Sequence, residues 1–149
     1  IRDSLSSATG IIEVENQLHQ LFLKDAIVNK ELSPSCELYV SYLTKMTTNY
    51  SLEEGLAAVL PCFTIYKEVG EYILANQNKA LLNPFQNWID TYGGEDFAKS
   101  VEQAITIANK YASKTSEETI ERMNLAFVKS SKLEFMFWDS AYKKEQWKI

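Results

Sequence analysis

Apolar residues return every three or four positions along most of the chain, and that spacing predicts helices. From Ile1 to Leu23 the rhythm is kept by Ile11, Ile12, Val14, Leu18, Leu21 and Phe22. A loop is expected over Asn29 to Ser35. Ser33 reads as an N-cap with Pro34 at the first helical position, where a missing N–H does no harm. The helix it opens carries Leu38, Tyr39, Tyr42, Leu43 and Met46 along one side. Ser51-Leu-Glu-Glu54 is a capping box, in which side chain and backbone satisfy each other's orphan donors. It opens a helix to about Ile73, with Leu56, Val59, Leu60, Phe63, Tyr66, Val69 and Ile73 on its core stripe. Asn83-Pro84 starts a short helix ending near Tyr92, and Gly93-Gly94 breaks it. Phe97, Val101, Ala104, Ile105, Ala108 and Tyr111 mark the next helix. Thr115-Ser-Glu-Glu118 reads as a second capping box, after which helical periodicity persists to about Trp147. The pattern predicts six or seven helices and no strand, an all-α bundle.

The 149 residues fit a single domain with one core. Only five Gly and three Pro are present, which favours few, long elements. The net charge of −5, with no basic run longer than Lys143-Lys144, argues against nucleic acid as a ligand. No apolar run approaches the roughly 20 residues that span a bilayer, and no secretion signal is read. Cys36 and Cys62 make neither a disulfide framework nor a zinc-ligand cluster, and both read as thiols in a reducing compartment. The first residue is Ile1 rather than Met, which suggests a fragment of a longer chain.

Few side chains are placed to do chemistry. Cys62 directly follows Pro61 in mid-helix, where the missing N–H and the clash with the carbonyl of residue 57 should kink or loosen the helix. Cys62 and Tyr66, four apart, share a face. Inert packing and catalysis are both open for such a cysteine, since reactivity depends on its surroundings. Glu134 is more informative. It falls inside the inward stripe of the last helix, among Met123, Phe127, Ser130, Ser131, Phe137, Trp138 and Ala141. A carboxyl group in an aromatic core must be paired, hydrogen-bonded or protonated. Burial disfavours the ionised form of a carboxyl, which suits general acid/base work, although a structural carboxylate fits the pattern equally. Tyr39, Tyr42, Tyr66 and Tyr92 lie on inward faces, as core or as the walls of a pocket for a flat heteroaromatic ligand. His19, with Glu15 one turn before it, is the only histidine, so a His-rich metal site and a Ser-His-Asp triad are both disfavoured. A structural or pocket hydrogen bond suits this pair better. No Gly-rich phosphate loop is present.

Three segments carry a resemblance: EGLAAVLPCFTIYKEVGEYI (Glu54 to Ile73), NPFQNWIDTYGGEDF (Asn83 to Phe97) and SSKLEFMFWDSAYKKEQW (Ser130 to Trp147). In order and spacing they resemble the TenA, or thiaminase II, family. The resemblance spans essentially the whole chain and is most specific from Tyr39 onward. It implies a haem-oxygenase-like helical bundle that needs no haem, metal or organic cofactor. It also implies hydrolysis of thiamin or 4-amino-5-aminomethyl-2-methylpyrimidine to 4-amino-5-hydroxymethyl-2-methylpyrimidine, in thiamin salvage. By resemblance Cys62 matches the nucleophile and Glu134 the catalytic glutamate. Tyr39, Tyr66 and Tyr92 match pocket tyrosines, Phe137 an aromatic against the pyrimidine, and His19 the histidine of a Leu-His pair. A cytoplasmic homotetramer is implied as well.

The sequence departs from the family in three places. Family members begin about two helices earlier, and those helices supply an aspartate for the pyrimidine amino group and an aromatic wall. Phe63-Thr64 stands where many relatives have Tyr-Trp, and Tyr42 where some have histidine. Two alternatives follow. One is a non-catalytic pyrimidine-binding or regulatory protein on the same fold. The other, a metal-dependent oxidase of the wider superfamily, is disfavoured by the lone His19.

Overall fold

The computed structural model describes residues 2–24 and 31–148. Ile1, and Asn29 and Lys30 of the expected loop, lie outside the described residues, as do the side chains of Ile11 and Val14. Six helices and no strand occur among the described residues: α1 (Arg2–Leu23), α2 (Pro34–Asn49), α3 (Leu52–Asn76), α4 (Gln86–Tyr92), α5 (Glu95–Ala112) and α6 (Glu117–Lys143).

Local chemistry sets most of the boundaries. Ser33 caps α2 by accepting the Cys36 N–H at 3.3 Å, with Pro34 at the first position. The capping box of α3 forms as expected, with Glu54 N–H to Ser51 Oγ at 3.3 Å and Ser51 N–H to the Glu54 carboxylate at 3.4 Å. The N-cap expected at Thr115 falls one residue later, without the reciprocal Glu of a box. Ser116 is the N-cap of α6, and it accepts the Thr119 N–H at 3.2 Å. Asn83 and Pro84 precede α4 without joining it, because the Asn83 side chain accepts the Phe85 N–H at 2.9 Å and forms a turn. α3 continues through Pro61 as one unbroken helix.

The last helix ends earlier than its periodicity predicts. Lys144 takes a left-handed conformation at φ 52°, and the Glu145 N–H reaches back to the Ser140 carbonyl at 2.9 Å. This is a Schellman-type ending with lysine in place of the usual glycine. Tertiary contacts hold it. The Glu145 carboxylate accepts the Ser35 N–H at 3.0 Å at the start of α2, and the Trp147 indole donates to the Leu32 carbonyl at 2.8 Å.

The chain forms two compact units, one of residues 1–30 and 67–100, the other of residues 31–66 and 101–149. In the second, α2 packs on α6. Residues rising along α2 meet residues falling along α6: Ser33 with Ser140, Tyr39 with Glu134, Tyr42 with the Ala126 carbonyl. The two helices are therefore antiparallel. Met46, Ala57, Ala58, Met123 and Ala126 form the core there, with Tyr42, Leu43 and Ala112 packed against it. α6 also carries an outer apolar face, Leu125, Val128, Phe135 and Met136, which is exposed.

In the first unit, α3 meets the end of α4 at backbone distance. A Cβ on Gly70 would lie 2.5 Å from the Tyr92 carbonyl carbon, and one on Gly93 would lie 2.8 Å from the Gly70 oxygen. Gly70→Ala should therefore destabilise the protein by about 1–3 kcal/mol through overpacking against a backbone that cannot yield. Gly55 is a control, because its added Cβ would meet nothing nearer than the Met46 carbonyl oxygen at 3.5 Å. Gly55→Ala should be stabilising by up to about 0.5–1 kcal/mol through lost unfolded-state freedom. Urea unfolding of the two variants checks the opposite signs.

Candidate active site

One stripe of α6 organises the second unit. Ala126, Ser130, Glu134 and Trp138 are four apart and so stack on one face. Each takes part in a polar contact. The Tyr42 hydroxyl donates to the Ala126 carbonyl at 3.4 Å, and the Ser130 hydroxyl donates to the Ala58 carbonyl on α3 at 2.5 Å. The Tyr39 hydroxyl donates to Glu134 Oε2 at 2.5 Å, and the Trp138 indole donates to Glu134 Oε1 at 2.9 Å.

Glu134 is 1% exposed. Both of its oxygens are engaged, by donors from two different helices. Leaving either oxygen without its donor would incur a desolvation penalty of about 1–3 kcal/mol. The second buried carboxylate, Glu54, is held differently. It completes the capping box and faces the Arg122 guanidinium at 3.5 Å. Glu134 meets a phenol and an indole, where Glu54 meets a cation. Neutral donors fix the carboxyl in place without adding an opposite charge beside it.

Tyr39 connects this carboxyl to the thiol. Its hydroxyl is pushed far above its ordinary value near 10. Burial is the largest cause, followed by the electrostatic influence of Cys62, then by the hydrogen bond to Glu134. The nearby Ser130 acts in the opposite sense. Cys62 is half-buried on α3, immediately after the buried Pro61. Cys36, half-buried on α2, has its thiol pushed up by burial and by Glu37. Neither cysteine is in a disulfide.

Aromatic rings surround the carboxyl. Phe137 lies against Tyr39 at 6.4 Å between ring centroids, and Tyr66 meets Trp138 edge-on at 5.0 Å. Tyr39, Cys62, Tyr66, Glu134 and Phe137 thus all belong to one unit and are linked through Tyr39 and Trp138. Tyr92 and His19 belong to the other unit. There Tyr92 is buried between Trp88 at 4.8 Å and Phe97 at 4.9 Å, and His19 is exposed on α1. No cluster of three or more potential metal ligands occurs among the described residues. Sequence reasoning placed Ser130 and Trp138 on the inward stripe without giving either a partner. The available signal was their spacing of four from Glu134, which puts a donor one turn to each side.

Residues 11–144 match the model of the TENA/THI-4/PQQC family. The chain belongs to this family. This TenA chain is 36% identical over 148 residues to the aminopyrimidine aminohydrolase of Bacillus subtilis, covering 95% of itself and 62% of that relative. It is 26% identical over 149 residues to the aminopyrimidine aminohydrolase of Helicobacter pylori, covering 96% of itself and 69% of that protein. The X-ray structure of a TenA homologue from Pyrococcus furiosus superposes with a TM-score of 0.81 at 26% identity, over 95% of this chain and 66% of the other. The fold is the haem-oxygenase-like helical fold of that homologue. The chain therefore spans about three fifths of the length of its Bacillus relative.

Two outcomes follow for the TenA carboxyl site. Tyr39→Phe removes a buried donor and should destabilise the fold by about 1–3 kcal/mol. Tyr42→Phe, which loses only the long, half-buried bond to Ala126, should cost less than about 1 kcal/mol. The pH dependence has a definite sign. Tyr39 stays protonated in the folded state when an unfolded tyrosine ionises near 10, so its share of the stability is complete below that pH and declines above it. Urea unfolding at stepped alkaline pH should show wild-type stability falling more steeply than that of Tyr39→Phe.

Proposed function

We propose that this protein is an aminopyrimidine aminohydrolase of the thiaminase II type. It hydrolyses thiamin, or 4-amino-5-aminomethyl-2-methylpyrimidine, to 4-amino-5-hydroxymethyl-2-methylpyrimidine. The observation that carries this reading is the buried Glu134 carboxyl bonded to Tyr39, whose hydroxyl also feels the nearby Cys62, beside the Ser130 bond to the α3 turn before Cys62. The names of the relatives from Bacillus subtilis and Helicobacter pylori support the substrate class.

In this reading Glu134 holds or protonates a ring nitrogen and makes the pyrimidine electrophilic. The Cys62 thiolate adds to the activated ring carbon, forming a C–S bond. The amine or thiazolium departs from the exocyclic methylene with the bonding pair. Water adds at that methylene and loses a proton. The C–S bond then breaks, restoring the aromatic ring and the thiolate. Covalent addition divides one difficult displacement into easier steps. Tyr39 keeps the carboxyl oriented, and Tyr66 and Phe137 supply aromatic surface for the ring. Tyr92 and His19 take their pocket roles from the family resemblance alone. A cytoplasmic homo-oligomer is part of the proposal, since two thiols outside any disulfide suit a reducing compartment.

Release of hydroxymethylpyrimidine from the aminomethyl compound, followed by chromatography, tests the assignment. Cys62→Ser should lower turnover by at least about a hundredfold through loss of the thiolate, and Glu134→Gln by about 10²–10⁴-fold through loss of acid/base function. Cys36→Ser should keep the wild-type rate. Wild-type turnover by Cys62→Ser would remove the nucleophile from the scheme. Tight binding of the pyrimidine with no product over long incubation would favour the regulatory alternative.

A further inference from the structure

Ser130 is fully buried, as is Ala58 opposite it, each at 0% exposure. A serine or threonine within a helix ordinarily turns its hydroxyl back to the carbonyl four residues earlier. Its neighbour Ser131 does this, donating to Phe127 O at 2.9 Å, and Thr64, Thr91 and Ser100 do the same in their own helices. Ser130 instead donates across to another helix, to the Ala58 carbonyl of α3. The carbonyl that Ser130 would otherwise use, at Ala126, receives the Tyr42 hydroxyl.

The positions at both ends of this link matter. Ser130 lies one turn before Glu134 on α6, and Ala58 lies one turn before Cys62 on α3. Helical geometry offers the Ala58 carbonyl to the N–H of Cys62 itself. The preceding carbonyl, at Ala57, loses its helical donor to Pro61. The ladder of α3 is therefore weakest at the turn that presents the thiol, and the Ser130 hydroxyl engages the adjacent carbonyl. Ser130 also stands close enough to Tyr39 to act on its hydroxyl, so the α6–α3 link adjoins the bond between Tyr39 and Glu134.

We propose that Ser130 is a positioning residue, whose hydroxyl ties the turn of α3 carrying Cys62 to the turn of α6 carrying Glu134 and so sets the separation of thiol and carboxyl. The proposal rests on the reading of those two groups as the chemical pair, and it assigns Ser130 no contact with substrate. Without the hydroxyl, the Cys62 turn should loosen and its thiol should become easier to reach.

The test is alkylation of the full chain by iodoacetamide under native conditions, read by mass spectrometry, with Cys36 in the same molecule as reference. In Ser130→Ala the ratio of Cys62 to Cys36 rates should rise by at least about threefold, whereas Ser131→Ala should leave it within about twofold of wild type. Ser130→Thr, which keeps the hydroxyl, should also stay within about twofold. If Ser130→Ala fails to fold, Ser130→Thr and Ser130→Val give the same comparison at nearly equal volume. An unmoved or lowered ratio in the variant lacking the hydroxyl, or an equal rise in Ser130→Thr, would overturn the proposal. Where the chain turns over aminopyrimidine, Ser130→Ala should lower kcat by at least about tenfold while KM moves less than about threefold. The alkylation ratio does not need turnover, so absence of product counts against the hydrolase reading and an unmoved ratio counts against the Ser130 link.

Discussion

A carboxyl group sealed in a helix interface constrains everything around it. Glu134 cannot keep water, so two donors must arrive from the protein, and each has only one place from which to reach. The indole comes from its own helix one turn on. The phenol comes from α2, and this fixes how α2 lies along α6. A slip of α2 by one residue would rotate Tyr39 off the carboxyl by about 100° of helix turn. The register is then secured at the far end, where Ser33 meets Ser140 and Glu145 caps the start of α2. A polar requirement at the centre thus gives the interface a single solution that apolar packing alone would leave loose.

The same arrangement separates two chemical environments. The carboxyl is closed off, and the thiol of Cys62 is only half-buried. Enclosure keeps water from the carboxyl and leaves its oxygens to the two protein donors. A group that attacks carbon needs an approach path. Tyr39 is bonded to one and electrostatically sensitive to the other. Pro61 adds to this. It removes a helical hydrogen bond beside the thiol while α3 stays continuous, so the turn depends on neighbours for its rigidity.

Much of this was legible in the chain. Helix number and class followed from periodicity, and Ser33, Ser51 and Glu54 capped where local chemistry said they would. Glu134 stood out because a carboxylate on an apolar stripe is costly. Its partners were not legible. The bond from Tyr39 spans 95 residues of sequence, and no local rule links such positions. The end of α6 was misplaced for the same reason, since a lysine in left-handed conformation is unfavourable alone and is held by contacts with α2. The outer face of α6 was ambiguous too. Leu125, Val128, Phe135 and Met136 have helical spacing as good as that of the inward stripe, and periodicity does not say which apolar face is covered. Periodicity put Tyr92 on an inward face and it is buried, but the pocket roles of Tyr92 and His19 came from resemblance, and both residues belong to the other unit.

Whether Glu134 is present for stability alone can be argued from energetics. A buried charged group with its partners is seldom more stabilising than an apolar side chain of similar volume, and such replacements are often neutral or favourable. The stripe around Glu134 is otherwise small or apolar, but a leucine there would leave the buried Tyr39 hydroxyl without its acceptor, so the comparison holds only for exchange of the carboxyl together with its donors. A purely structural carboxylate would also be expected to have a cation, as Glu54 has Arg122. Glu134 has instead two neutral donors, one of which, Tyr39, is electrostatically sensitive to Cys62. The hydrogen bonds of Glu134 thus bring no guanidinium or ammonium to the carboxyl. Under the proposed function its physical rationale is a basic or electron-deficient ring placed against it, the chemistry that an aminopyrimidine would provide.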